Sequence, residues 1–498
     1  MLMRKLTTTS AAAAAVLSAV TGAALPVTAQ TVNGMPRPPG VRLGALPRLP
    51  AGQPGEVSVA VNPRNPRQLV VSYQQIIVDS NTRVHYGERA NVRVAWSADG
   101  GETWSTATGT THDEYVISVD ASVAMDLHGH AFLGFMAFDH FTKPYVPGPI
   151  RGAPRNGIFV RRSLDGGRTW EASHTALIEY PTMQDAPFQD KGYLVADNNP
   201  ASPYAGNLYM GWTSYSLEKS EILFARSTDD GKTWSKPMAI STDPGVAQSS
   251  VRGALLGFHA AVGRDGAVYT TWVDGKAIVL AVSHDGGRTF EPSRRIIPTK
   301  SWALLDAPGF PFAAGFPAIA TDPRGSPGKL FVVWGDNPYG DNDVLASTSD
   351  DGGRTWTSPF RVNDDPQQNG TDQVLSWVTV DPTDGAAYAV FYDRRMDPKR
   401  ALATVTLARS TDGGRTFVNY AWTTTLSDPK RANHGDYIGI AALGGRVYGA
   451  WVESAPPLPE IRVPVTPHFP SGPALIRTGV ADFRGAGRVN GQDARRRH

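Results

Sequence analysis

Seven times along the chain, a short and almost continuously apolar run is followed by a turn rich in Pro, Gly or Asp and then by a second apolar run. The second run ends at or near an aromatic residue. The seven pairs span Val57 to Tyr73, Ser122 to Phe138, Tyr193 to Trp212, His259 to Trp272, Pro317 to Trp334, Trp377 to Tyr392 and Ile438 to Trp451. Short apolar runs bounded by turn residues predict strands rather than helices. Their lack of polar alternation predicts burial on both faces, as for the inner strands of a layered sheet protein. Further strands are expected outside each pair, for example Val344 to Thr348 and Phe360 to Val362.

Between the pairs lies an octet of the form Ser-x-Asp-x-Gly-x-Thr-Trp/Phe, at Ser97–Trp104, Ser163–Trp170, Ser227–Trp234, Ser283–Phe290, Ser349–Trp356 and Ser410–Phe417. Its chemistry is that of a hairpin turn. The Asp accepts N–H bonds from the residues after it, Gly supplies positive φ, the Ser and Thr hydroxyls tie the arms together, and the aromatic ring packs on the sheet. Six equivalent acids at such spacing cannot share one site, so the octets read as structural.

Successive octet aspartates are 66, 64, 56, 66 and 61 residues apart, which among repeat architectures fits a four-stranded propeller blade with long loops. The expected fold is therefore an all-β propeller of four-stranded antiparallel blades carrying six octets. Seven hairpins against six octets favour seven blades, with six as the alternative. The seventh blade is completed either by Ile461 to Val465 and Ala474 to Thr478, or by a strand near Val41 to Leu46 in the lead-in.

The expected organisation is a signal peptide at 1–29, an irregular Pro- and Gly-rich lead-in with a possible closing strand at 30–54, one propeller at 55–480, and a disordered basic tail at 481–498. The signal peptide rests on Arg4 and Lys5, the small apolar run Ala11 to Leu25, and Val27-Thr28-Ala29 as a cleavage site. A secreted, periplasmic or extracellular location follows, and no later run is long enough to span a bilayer.

Composition narrows the chemistry. The 498 residues include no cysteine, which excludes thiol nucleophiles, Cys-ligated zinc and a disulfide framework. A net charge of +2 leaves no broad face for nucleic acid. With 51 Gly, 39 Pro and 12 Trp, the composition suits many short strands and tight turns. The expected partner is a glycan or glycoconjugate, and the expected assembly a monomer.

If the octets occupy one face, converging residues come from the opposite one, on loops that lead into each inner strand or leave the second. The former contribute Glu56, His112-Asp113-Glu114, Asp185, Asp190, Lys191, Arg252, His259, Asp306, Asp372, Gln373 and Asn433 to Tyr437. The latter contribute Asp139, His140, Tyr215, Asp274, Asp336, Asp393-Arg394-Arg395 and Glu453. Paired carboxylates on such a face suit glycoside hydrolysis, and the same oxygens suit a hard cation such as calcium. No other cofactor is expected. Asp393, Arg394 and Arg395 offer guanidinium forks for a carboxylate or phosphate. His434, Asp436 and Tyr437 bring an imidazole, a carboxylate and a phenol together, and alternation along an extended segment would place His434 and Asp436 on one side and Tyr437 on the other.

The octets resemble the Asp boxes, or bacterial neuraminidase repeats, of the sialidase-type propellers, and they span most of the chain. The resemblance implies a secreted glycoside hydrolase acting on extracellular glycans, an exo-α-sialidase being one form. It implies three arginines for the sugar carboxylate, an Asp acid/base, and a Tyr nucleophile activated by Glu. By type and location these become Arg252 and Arg394 or Arg395 as arginines, Asp113 as acid/base, and Tyr437 with Glu453 as nucleophile and partner. No Arg-Ile-Pro string precedes the first octet; the nearest relative is Arg462-Val463-Pro464. The alternative is a non-catalytic propeller that binds a glycan or protein at the cell envelope, with a polysaccharide lyase as a third possibility.

Overall fold

The computed structural model describes residues 31–48, 52–77, 89–110, 114–139, 155–183, 186–247, 253–301, 304–310, 313–325, 328–455 and 473–486. Among these residues every regular element is a β-strand. The expected signal peptide and most of the tail lie outside them.

After a two-stranded hairpin at Thr31–Val32 and Met35–Pro36, the chain lays down antiparallel units of four strands in sequence order. The first unit comprises Gln53–Asn62, Asn65–Ile77, Arg89–Ser97 and Ser105–Thr106. The second comprises Ile117–Met125, Ala131–Phe138, Asn156–Ser163 and Thr175–Tyr180, and a parallel bridge from Ala90 to Ile117 joins the two into one eight-stranded sheet. Later units begin with Phe188–Ala196, Leu256–Val262, Ala318–Asp322, Gln373–Val380 and Gly439–Leu443. The last combines Gly439–Leu443, Arg446–Ser454 and Ala474–Asp482 with Arg42–Ala45 from the lead-in, so both ends of the chain meet in one sheet. Ile461 to Val465, the other candidate for that sheet, lies outside the described residues.

Burial explains the apolar patterning. Strands such as Ile117–Met125 and Ala131–Phe138 are buried at every position, whereas two third strands, Arg89–Ser97 and Lys219–Ser227, carry half-exposed residues between buried ones. The aromatic ends of the hairpins form the largest buried side chains, among them Trp212, Trp272, Trp334 and Trp451. Burying each such ring contributes on the order of 2–3 kcal/mol. The first strands of successive units touch one another in chain order, and Gly439–Leu443 also touches Gln53–Asn62.

Each octet is tied as its residue types require. In the fifth, Ser349 Oγ donates to Asp351 Oδ1 at 2.8 Å and accepts from Gly353 N at 2.9 Å, while Thr355 donates from N at 2.9 Å and from Oγ1 at 2.5 Å to the Asp351 carboxylate. The Trp356 indole donates to Gly353 O at 3.0 Å. The same Ser, Gly and Thr bonds recur around Asp99, Asp165, Asp229, Asp285 and Asp412. So well-supplied a carboxylate stays ionised. The Thr355 hydroxyl and amide, together with Ser349, hold Asp351 at about 2. Asp99 and Asp285 also fall to about 2, since these donors outweigh the opposing effect of burial.

Candidate functional site

Five of the first strands carry the same irregularity. At Glu56-Val57, Asp120-Ala121, Lys191-Gly192, Gly257-Phe258 and Leu375-Ser376, two residues stand opposite one on the second strand. The single partner is aromatic each time: Tyr73, Phe135, Trp212, Trp272 and Phe391, all buried. The first bulge residue has left-handed backbone in every case, with φ of 50° at Glu56, 54° at Asp120, 41° at Lys191, 72° at Gly257 and 56° at Leu375. Only Gly takes this conformation freely, so each other residue carries a strain on the order of 1 kcal/mol. A bulge re-aims the side chain it carries. Here that turns Glu56, Asp120 and Lys191 toward one place.

The residues after the bulges tie neighbouring units together. Val123 N donates to Ser58 Oγ at 3.2 Å, Leu194 N to Ser122 Oγ at 3.1 Å, and Ile319 N to His259 Nδ1 at 3.2 Å. The bulges are thereby held in register from one unit to the next. They also lie far from the octets. Gly55 pairs with Gln74 and Gln74 with Val92, five residues before the octet's Ser97, or about 17 Å along the strand.

Where the bulges converge, Glu56, Asp120 and Asp436 bring carboxylate oxygens within 4.8 Å of one another. Asp190, immediately before the third bulge, acts on the same group of charges. The Lys191 ammonium lies 3.8 Å from the centre of the Tyr437 ring, 5.4 Å from that of Phe316 and 5.7 Å from that of Trp377. His259 stacks on Tyr193 at 4.0 Å and meets Trp377 edge-on at 4.6 Å. The result is an aromatic cage around one cation, beside several acids.

Burial and mutual repulsion oppose ionisation of these acids. Burial, with Asp120 and Asp436 adding to it, holds Glu56 and Asp190 well above the usual carboxylate range, although Lys191 pulls the other way. Asp436 is pushed up to about 6, chiefly by burial, with Lys191 opposing and Asp120 reinforcing it. Burial and then the neighbouring carboxylates raise the Tyr437 phenol, which donates to Ala121 O at 3.3 Å. Burial and Lys191 keep His259 neutral.

The sequence candidates separate. Asp436 and Tyr437 both face this cluster, so the expected alternation that set them on opposite sides does not occur. His434 packs elsewhere, 4.7 Å from the Tyr392 ring and 4.8 Å from Phe310, and burial lowers it to about 3. Glu453 accepts from Trp451 Nε1 at 2.8 Å and from Arg477 Nε at 3.0 Å, so its bonds run along its own unit rather than to Tyr437. Arg394 donates to Asp372 at 3.1 Å and to Pro308 O. Arg395 pairs with Asp393 at 2.6 Å and with Asp364, while Asp393 also accepts from Thr406 and Gln373. Asp393, Arg394 and Arg395 therefore complete ion-pair networks of their own. Asp113 and Arg252 lie outside the described residues.

Asp120 was not singled out in the sequence because it lies inside an apolar strand. The sequence does carry a signal: Asp120-Ala121-Ser122 repeats the acidic-apolar-Ser pattern of Glu56-Val57-Ser58 at the same place in its unit.

No protein-family model and no curated sequence matches the chain. Among solved structures, a Hadza microbial sialidase is similar at 17% identity over 68% of this chain and 63% of its own, with a TM-score of 0.46. A protein of unknown function from Dyadobacter fermentans is similar at 15% identity over 89% of this chain and 99% of its own, also at 0.46. An α-L-arabinofuranosidase from Fusarium graminearum is similar at 12% identity over 76% of this chain and 96% of its own, at 0.44. The chain thus spans less than two thirds of the length of the Hadza sialidase. At these identities and scores, none of them carries an activity or a substrate over to this chain.

Proposed function

We propose that this chain is a sialidase-like glycoside hydrolase acting on extracellular glycans, exported by its N-terminal segment and built as a closed propeller of seven blades. The ring is supported by the ordered contacts of the first strands and by the sheet that joins the two chain ends. The assignment of the octets as Asp boxes is supported by their shared bonding pattern.

The observation that carries the activity is the convergence of Glu56, Asp120, Asp190 and Asp436 around Lys191, at the end of the strands remote from the octets. Glycoside hydrolysis uses two carboxyl groups in different protonation states, one to protonate the leaving oxygen and one to act as base or nucleophile. Asp190 and Asp436 are the two partly exposed members of the group, and we assign them to that pair. Lys191 offers positive charge to an acidic sugar. Tyr437 positions Lys191 through its ring rather than acting as nucleophile, since its surroundings oppose loss of the phenol proton. Asp113 is kept as the alternative acid/base to this pair, and Arg252 as a ligand for a sugar carboxylate.

The test is the chain without its first 29 residues, assayed against fluorogenic sialosides, uronides and neutral glycosides. Turnover on one class, lost in Asp436→Asn and in Asp190→Asn, is the expected result. Because Glu56, Asp120 and Lys191 are themselves buried, a binding propeller is the second reading. Retention on a glycan array without turnover of any substrate would replace the hydrolase with it.

A further inference from the structure

We propose that Glu56, Asp120 and Asp436 together bind one divalent, oxygen-preferring cation of the calcium type where the inner strands converge. Their carboxylate oxygens lie within 4.8 Å of one another. Oxygens sharing one calcium at 2.3–2.6 Å are at most about 5 Å apart, so the three fit around a single ion.

Proximity of acids is common without an ion, and a second observation distinguishes this group. Glu56 Oε2 is buried and has no hydrogen-bond partner, on a residue only 8% exposed. Asp436 Oδ1 is also buried and unpartnered. Leaving a buried acceptor unpaired costs about 1–3 kcal/mol, and more when it is charged. Two such oxygens in one cluster of acids call for a shared positive partner. Lys191 does not fill that role, because its ammonium is placed over the Tyr437 ring.

Another set of possible ligands, Asp126, His130 and Asp230, shows the contrast. There Asp126 Oδ1 accepts the amides of His128 at 2.9 Å and His130 at 2.8 Å, and Oδ2 lies 3.2 Å from His130 Nδ1. Its own turn satisfies the carboxylate, and His130 Nδ1, buried without a hydrogen bond, faces that same Asp126 carboxylate. At the centre, by comparison, left-handed backbone at Glu56 and Asp120 presents the carboxylates inward; Asp120 Oδ2 accepts the Lys191 amide at 3.3 Å, while Glu56 Oε2 and Asp436 Oδ1 have no hydrogen-bond partner.

Calcium suits the arrangement better than magnesium, because it accepts irregular coordination by carboxylates whereas magnesium demands a near-ideal octahedron and keeps its waters. The ion site uses Glu56 and Asp120, which the proposed hydrolysis does not, and rests on that reading only in sharing Asp436. It is therefore measured without any glycan.

The experiment strips the mature chain with a chelator and titrates it with Ca2+ by calorimetry. A parallel titration uses Tb3+, with luminescence excited through Tyr437 and Trp377 beside the cluster. We expect one ion per chain, a Tm that rises with Ca2+, and affinity at least tenfold weaker in Glu56→Gln and in Asp120→Asn. Should either variant fail to fold, Asp436→Asn, at a position with ordinary backbone, provides the same comparison. Absence of binding at millimolar Ca2+, or affinity unchanged in the folded variants, would overturn the proposal. One-to-one binding in a chain that hydrolyses no glycoside would support the ion site and remove the hydrolase.

Discussion

The octets and the central cluster are both built around carboxylates, and their environments are opposite. Asp351 receives the Ser349 hydroxyl, the Thr355 hydroxyl and a backbone amide, and its carboxyl falls to about 2. Asp436 is pushed up to about 6, with one buried oxygen lacking any partner. An acid surrounded by donors is part of the scaffold, since every bond it makes closes its own turn. An acid buried among other acids gains little for folding, and its persistence needs a reason outside the fold.

Substitution gives the most direct way to break this comparison. The largest effect is expected from Asp436→Asn, which should cost about 10²–10⁴ in turnover on the responsive glycoside, the usual range for loss of an acid–base group. Its urea midpoint in the chelator-stripped chain should change little. A comparable loss of activity from Asp351→Asn would erase the distinction between the two regions.

Gly435→Ala is expected to come next. Gly435 has φ of 67°, and a Cβ there would overlap the Glu56 side chain. Strain and collision together should destabilise the chain by about 2–3 kcal/mol, read from a denaturant melt. A neutral result would show that Glu56 has room to move and that the cluster is not rigidly held.

Smaller effects sharpen the contrast in stability. Asp351→Asn should lower stability by about 1 kcal/mol by weakening charge-assisted bonds, whereas Glu56→Gln in the chelator-stripped chain should be neutral or stabilising because it removes a buried acid from among other acids. Paired melts of the two variants check the difference, and equal losses would contradict it.

The smallest effect is in the acid range. Asp99, Asp285 and Asp351 have folded-state values near 2, below the ordinary carboxylate value of 3.8, so their contribution to stability is present above about pH 4 and lost as pH falls through about 2. These groups are largely open to solvent, so each contribution is small. Asp351→Asn should flatten the acid limb of stability against pH, and an unchanged limb would mean that the octets do not set it.

Much of the scaffold was legible in the chain because its rules are local. Continuous apolarity marked the inner strands, and Ser-x-Asp-x-Gly-x-Thr marked turns that close with their own atoms. The site was less legible. Glu56, Asp190 and Lys191 stand out in the sequence only as residues near strand starts, and Asp120 is hidden within an apolar run. The most conspicuous strings lie apart from the cluster: Asp393-Arg394-Arg395 forms its own ion pairs, and His434 packs against Tyr392 and Phe310. Adjacency in sequence could not reveal this, because one strand sends successive side chains to different surroundings.

By itself, the sequence determined the all-β character, the repeated four-stranded unit and the bonding within every octet. Hydrophobic period and turn chemistry act between residues a few positions apart, so a linear reading suffices. Only the tertiary structure decided that Arg42–Ala45 completes the sheet of Ala474–Asp482, and that Glu56, Asp120, Lys191 and Asp436 share one place. Those residues come from four separate units; the charges of Glu56, Asp120 and Lys191 meet because backbone bulges turn inward at matching levels, and Asp436 joins them from the segment before Gly439–Leu443. Burial and electrostatic coupling arise from that meeting in space, and no stretch of the chain contains it.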